Sequence, residues 1–508
     1  MRVVRVLCVM AVFAVAVLEI SCGDTFRPIA IPQNPQPPDP STIHFALMLS
    51  ANGPEACDPN SNPPVFPAPP WPVNTPCDKS IHPGGGNRID VSGDSNVGTA
   101  TVGLNPVHAV VLPNSDTVFV ANRGDNTITG YSSTTPGPAT TTITLPPGTN
   151  PVFLETKETG TVYAAGVGDG LTVGPTVSVI SSSPQLVVTR TLTAADGIGS
   201  NPIAMVETAN GKKLYVVNQG SSTVTAINIV DKSVNAVIPT GTSPIWAVVR
   251  ADDARVFVLN QGDGVNGSVS VIDTVNDIVK APIPIPTANY MAYDSVFNRL
   301  YLTIPGNSHL AVLDVSADTP TALPDVDLSA ACPPGTCKLD SVTTLPTDSN
   351  TVRKKGTVYV SSYTISNTCT PLAGAPADMP PCVTTQVSVV SAPNNALTKT
   401  ITTVHTVFVN SQSVGTKPDV SAVPFCNENP LDPARNARFR RHIAAARDAT
   451  RVYVANCDAG GVDIIRTSDD SFVLNLPAPW SSAPILPNQT FPPLQNPVLV
   501  LPDSKIAQ

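Results

Sequence analysis

Leu214-Tyr215-Val216-Val217-Asn218, followed by Gln219-Gly220, is a short apolar run rich in β-branched and aromatic residues that ends in a turn signal. Such a run reads as a buried strand. The phrase returns as Val118-Phe119-Val120-Ala121-Asn122, Val256-Phe257-Val258-Leu259-Asn260 and Val452-Tyr453-Val454-Ala455-Asn456. Weaker copies are Val162-Tyr163-Ala164-Ala165, Leu300-Tyr301-Leu302-Thr303 and Val358-Tyr359-Val360-Ser361. Before each of the first repeats stands a strand opened by Asn105-Pro106, Asn150-Pro151, Asn201-Pro202 or Ser243-Pro244. After the turn comes a third strand, as in Thr223-Val224-Thr225-Ala226-Ile227 and Ser268-Val269-Ser270-Val271-Ile272. A unit that recurs at roughly 40–50 residues is the mark of a propeller or solenoid. Helical periodicity is nearly absent, and Ala444-Ala445-Ala446 aligns with Ile203-Ala204-Met205-Val206 as a first strand.

The repeated second strands resemble the Tyr-Val-Thr-Asn signature of the YVTN family of β-propeller repeats. The resemblance spans roughly residues 43–503 and implies an all-β chain folded as a single β-propeller. Counting second strands gives about eight four-stranded blades; seven follow if one weak repeat between Asn289 and Thr416 is an insertion. Asn496-Pro497-Val498-Leu499-Val500-Leu501-Pro502 restates the opening of the first repeat and then the chain stops. The missing strands of that blade are expected from Phe45–Ala51, Arg88–Val91 and Gly98–Val102. A blade shared between the two ends removes a free sheet edge.

Residues 1–22 read as a signal peptide. Arg2 and Arg5 precede an apolar run from Val6 to Leu18, which is shorter than the ~20 residues of a membrane-spanning helix. Ser21-Cys22 resembles a lipobox, with Glu19 where that motif usually carries Leu, and the resemblance implies lipidation at Cys22 and a bacterial envelope. Residues 23–42 form a Pro-rich tether and residues 43–508 the propeller. The remaining cysteines fall as near neighbours, giving the candidate pairs Cys57 with Cys77, Cys332 with Cys337, Cys369 with Cys382, and Cys426 with Cys457. Their spacing is not that of a zinc site, and an exported chain favours disulfides.

Only 13% of the residues are charged and the net charge is −9, a surface that repels nucleic acid. The Asn-x-Gly turns, such as Asn122-Arg123-Gly124, read as punctuation. One strong local charge stands out: Arg435, Arg438, Arg440 and Arg441, with Arg447, Arg451 and His442 nearby. Guanidinium forks in this run are candidates for binding a carboxylate, phosphate or sulfated sugar. The six histidines have no paired spacing, and no Gly-x-Ser-x-Gly occurs. His108, near the start of a first strand, is the one placed to face a channel. No catalytic residue, metal or cofactor is assigned. The expected function is a monomeric binding or scaffold module of the cell envelope, held at the membrane by its lipid and taking a protein, glycan or small ligand. The alternative is an enzyme sited in the channel, because similar propellers include lactonases and quinoprotein or haem oxidoreductases.

Overall fold

The computed structural model describes residues 45–51, 83–113, 117–133, 140–157, 160–182, 186–345, 356–375, 377–378, 380–409, 412–426, 438–479 and 495–502. Cys22, Cys57, Cys77 and Arg435 lie outside them. Among the described residues eight four-stranded antiparallel blades form a ring. Blades 1 to 7 open with the inner strands Pro106–Val111, Pro151–Glu155, Pro202–Glu207, Pro244–Val249, Tyr290–Asp294, Cys337–Thr344 and Arg441–Ala445. Three further strands lead outward from each. In blade 8 the C-terminal strand Asn496–Pro502 is innermost, followed by Phe45–Ala51, Pro83–Asp90 and Ser95–Leu104. Its partner register runs from Ala46 opposite Pro502 to Ala51 opposite Asn496. Each inner strand packs beside the next, and Asn496–Pro502 touches those of blades 7 and 1, so the ring closes. The weak repeats at Leu300 and Val358 are complete blades 5 and 6, which settles eight blades over seven.

The second strands carry the core. Phe119, Tyr163, Tyr215, Phe257, Tyr301, Tyr359 and Tyr453, one from each of blades 1 to 7, are all buried between neighbouring sheets. Burying side chains of this kind contributes about 1.5–3 kcal/mol each. The terminal Asn of the phrase is buried as well, and its role is local. Asn122 Nδ2 donates to Thr127 Oγ1 at 3.0 Å and Thr129 Oγ1 at 2.8 Å. Asn218 does the same to Thr223 at 3.2 Å and Thr225 at 2.9 Å, and Asn260 to Ser268 at 3.0 Å and Ser270 at 2.9 Å. In blade 7 the residue opposite Asn456 is Gly461, which offers no hydroxyl. Asn456 donates instead to Thr385 Oγ1 and Asp463 Oδ2, each at 3.2 Å.

Asn105, Asn150, Asn201 and Ser243 have φ between 48° and 53°, so the chain turns through the left-handed region just before each opening proline. Asn adopts that region more readily than most residues. Immediately after each proline the first strand slips register against the second: between Pro106 and His108, Pro151 and Phe153, Pro202 and Ala204, and Pro244 and Trp246. These are β-bulges, which leave one residue unpaired and re-aim its neighbours.

Between blades 6 and 7 the chain makes a separate hairpin, His405–Val409 with Gln412–Lys417, and a short strand, Asp419–Ser421, that pairs with the third strand of blade 6. Three of the four expected cysteine pairs are disulfides: Cys332–Cys337, Cys369–Cys382 and Cys426–Cys457. They favour an oxidising, extracytoplasmic location. No helix among the described residues is long and apolar enough to cross a membrane.

Candidate functional site

A cavity of about 450 Å³ lies in the channel, bounded by inner strands and by the segment that leads into blade 7. Its walls at the end where the inner strands begin are aromatic. His108 stacks on Phe153 at 3.9 Å, Phe153 meets Trp246 edge-on at 5.7 Å, and Trp246 lies 5.0 Å from Tyr290. Phe439 continues the series, 5.1 Å from both Tyr290 and His442. The bulges account for the order of these rings: His108, Phe153 and Trp246 occupy the same place, two residues after the opening proline.

The segment before blade 7 brings one charge into this ring. Arg438 lays its guanidinium over the Trp246 ring at 4.7 Å and within 5.7 Å of Phe439. Its Nη1 donates to Ile203 O at 3.0 Å and its Nη2 to Ile245 O at 2.6 Å. Ile203 and Ile245 are the bulged residues of blades 3 and 4, skipped by the ladder, so the irregularity supplies the acceptors. Neither contact neutralises the charge, and among the described residues Arg438 has no carboxylate partner. Burial lowers its pKa to about 10, a value at which it remains cationic at neutral pH. Among the described residues its Nε and the indole Nε1 of Trp246 are buried without a hydrogen-bond partner.

Both channel histidines are neutral. Burial, reinforced by the Arg438 charge, lowers His108 and His442 to about 3. His108 Nδ1 accepts from Leu154 N at 3.2 Å, and His442 Nδ1 accepts from Val500 N at 3.3 Å. With Nδ1 an acceptor in a neutral ring, the proton sits on Nε2. Burial pushes Tyr290 up to about 12, so it stays a phenol.

The arginine run is therefore divided. Arg438 faces the channel, whereas Arg440 and Arg441 are buried and both reach Asp458, at 3.3 and 2.7 Å. Arg441 also donates from Nε to Thr385 Oγ1 at 2.6 Å, and Arg440 stacks on Tyr363 at 5.1 Å. Asp458 Oδ1 further accepts from Val423 N at 2.7 Å, which ties the insertion to blade 7 beside the Cys426–Cys457 bond. Phe425 and Phe439, at the two ends of that insertion, both line the cavity. Among the described residues no cluster of three or more His, Cys, Asp or Glu is placed to hold a metal ion.

The aromatic positions escaped the sequence reading, although a signal existed in their shared distance from the opening proline. His108 was the exception.

No family model and no curated protein matches the sequence. Solved structures do match. The dihydro-heme d1 dehydrogenase NirN, in complex with DHE, superposes with a TM-score of 0.53 at 11% identity, covering 88% of this chain and 76% of that one. A putative 6-phosphogluconolactonase from Bacteroides uniformis gives 0.44 at 9% identity, covering 91% and 99%. Hydrazine synthase of Kuenenia stuttgartiensis gives 0.40 at 14%, covering 73% and 86%. At these identities the likeness to NirN establishes the fold: this chain is an eight-bladed β-propeller.

Proposed function

We propose that the chain is a YVTN-like envelope lipoprotein, anchored through Cys22, whose channel binds a small anionic ligand. The observation that carries this reading is the Arg438 guanidinium, held in an aromatic cavity by two bulge carbonyls and lacking a carboxylate partner among the described residues. A desolvated, uncompensated charge is costly, so a protein keeps one where a partner arrives from outside. The propeller supports this as a rigid frame: two inner strands and one insertion fix the position of a single fork.

Native mass spectrometry of the protein purified from its own membrane fraction tests both parts. The expected mass begins at Cys22 with added acyl groups and includes a non-covalent ligand. That ligand is lost in Arg438→Gln and in Ala444→Phe, which fills a cavity-lining position. A protein without ligand, or one whose ligand is indifferent to both substitutions, overturns the channel as the binding site. An unacylated N-terminus overturns the anchor. A channel-sited enzyme, the other reading, would release a chemically altered molecule where a binding protein returns the same one.

A further inference from the structure

The channel presents donors. Arg438 has five N–H groups, and Ile203 and Ile245 take one each, which leaves the Nε edge and its neighbours for a ligand. Trp246 adds an indole N–H with no partner among the described residues. His108 and His442, each with Nδ1 committed to a backbone N–H, add two Nε2–H groups. Four donors of this kind, from blades 1, 4 and 7 and from the insertion, line a single cavity. They select a ligand rich in acceptors.

The number of charges narrows the class. The histidines are neutral, so at the aromatic end Arg438 is the one cation among neutral donors; Arg447, which also lines the cavity, follows the far end of the blade 7 inner strand. A monoanion is balanced by Arg438; a phosphate, near −2 at neutral pH, would bring to the aromatic end a second charge that no other cation there offsets. The walls narrow it again. Trp246, Tyr290 and Phe439 line the cavity, with Tyr290 5.0 Å from Trp246 and 5.1 Å from Phe439, a surface suited to a flat π system. A volume of about 450 Å³ accommodates a fused bicyclic acid.

Building on the channel-binding reading above, we infer that the ligand is a planar aromatic monocarboxylate, its carboxylate on the Nε edge of Arg438 and the Trp246 indole N–H, its ring against Tyr290 and Phe439. Arg438 and Trp246 are then the specificity-determining residues. His108 and His442 hydrogen-bond further acceptor atoms on the ring.

Isothermal titration of the intact mature protein, cleared of endogenous ligand, decides the class with four probes: 2-naphthoate, its methyl ester, cyclohexanecarboxylate and inorganic phosphate. 2-Naphthoate is expected to bind at least tenfold more tightly than each of the others. Trp246→Phe, which keeps a ring but removes the N–H, weakens it several-fold, and Arg438→Lys, which keeps the charge but loses the fork, weakens it at least tenfold. Should either variant fail to fold, the four probes on the unaltered protein still decide. Phosphate binding as well as naphthoate overturns the monoanion; equal binding of cyclohexanecarboxylate overturns the aromatic walls. Equal binding of the ester overturns the carboxylate while leaving the channel a binding site. If no probe binds but a ligand co-purifies and depends on Arg438, the class falls alone. If neither occurs, the channel reading falls with it.

Discussion

Tyr215 of blade 3 donates its hydroxyl to Asp277 Oδ1 at 2.8 Å, and Asp277 stands in the left-handed region, at φ 53°, in the turn between the third and fourth strands of blade 4. Lys213, two residues earlier on the same face of the strand, reaches the other oxygen of Asp277 at 2.7 Å. The arrangement recurs around the ring. Tyr163 of blade 2 pairs with Lys232 of blade 3 at 2.6 Å, Tyr359 of blade 6 with Asp470 of blade 7 at 2.7 Å, and Arg451 of blade 7 with Asp94 of blade 8 at 2.9 Å. Arg255 of blade 4 reaches Asp318 of blade 5 at 2.6 Å. The tyrosine or cation of one second strand thus latches onto the next blade's outer turn.

Removing one latch weakens a seam. Tyr215→Phe keeps the packed ring and loses one hydrogen bond to a charged acceptor, which is worth about 1.5–3 kcal/mol. Asp277→Ala removes both contacts and leaves the Lys213 amine with only the Thr274 carbonyl at 2.6 Å. Urea denaturation is expected to rank Asp277→Ala below Tyr215→Phe, and both below the parent protein. Equal stability of all three would show the seam to be held by apolar packing alone.

Much of this fold could be read from the sequence because the blade is a local object. Tyr215, Asn218 and the Asn201-Pro202 opening each act within one repeat or on the next, so their spacing carries their role. The channel is different, because its contents come from residues far apart in the chain. Arg438 meets Ile203 and Ile245 across more than 190 positions. Nothing in the run Arg435–Arg441 separates the arginine that enters the channel from the two that turn toward Asp458, since that division depends on which way the strand of blade 7 faces. The bulges were also hidden: Asn-Pro marks a strand start, but the skipped residue emerges only from the pairing of first and second strands.

Asp458 is a point where two guanidinium groups and the insertion converge. Arg440, Arg441 and the Val423 amide all bind its carboxylate, in a place sealed from water. Asp458→Asn keeps the shape and removes the charge, which strands two buried cations, and breaking a buried pair in this way costs about 3–5 kcal/mol. The variant is expected to unfold at much lower urea concentration. Arg441→Met combined with Asp458→Leu recovers part of the loss, because an apolar pair of matching size carries no desolvation cost. A double-mutant cycle reads the coupling directly.

The Cys426–Cys457 bond closes a separation of 31 residues around the insertion that delivers Arg438. A loop of that size is stabilised by about 3–4 kcal/mol on the chain-entropy account. Replacing both cysteines by serine is expected to lower the melting temperature and to speed amide exchange at Phe425 and Phe439, while the core strand Leu214–Asn218 keeps its protection. Ligand affinity should fall with it, since ordering the insertion would then accompany binding. Unchanged exchange at Phe439 would show that Asp458 alone secures the insertion.

At the far ends of the inner strands of blades 2 and 3, Glu155 carries a carboxyl raised from 4.5 to about 8. Burial is the main cause; the nearby Glu207 charge adds to it, while Lys157 and the Glu207 amide oppose it. Lys157 N donates to Glu207 Oε2 at 3.1 Å, so its main chain is engaged with the neighbouring carboxylate. Because the folded pKa lies above the unfolded one, the folded protein holds a proton that the unfolded chain has released between pH 4.5 and about 8. Stability from this group is therefore fully present below that window and declines as pH rises through it. Glu155→Gln is expected to flatten the fall in melting temperature between pH 7 and 9 and to leave the variant the more stable protein at the alkaline end. His108 and His442, lowered from 6.5 to about 3 by folding, add stability as pH rises to about 6.5 in parent and variant alike, so the difference between the two curves belongs to Glu155. Parallel curves for parent and variant would mean that Glu155 ionises freely in the folded ring.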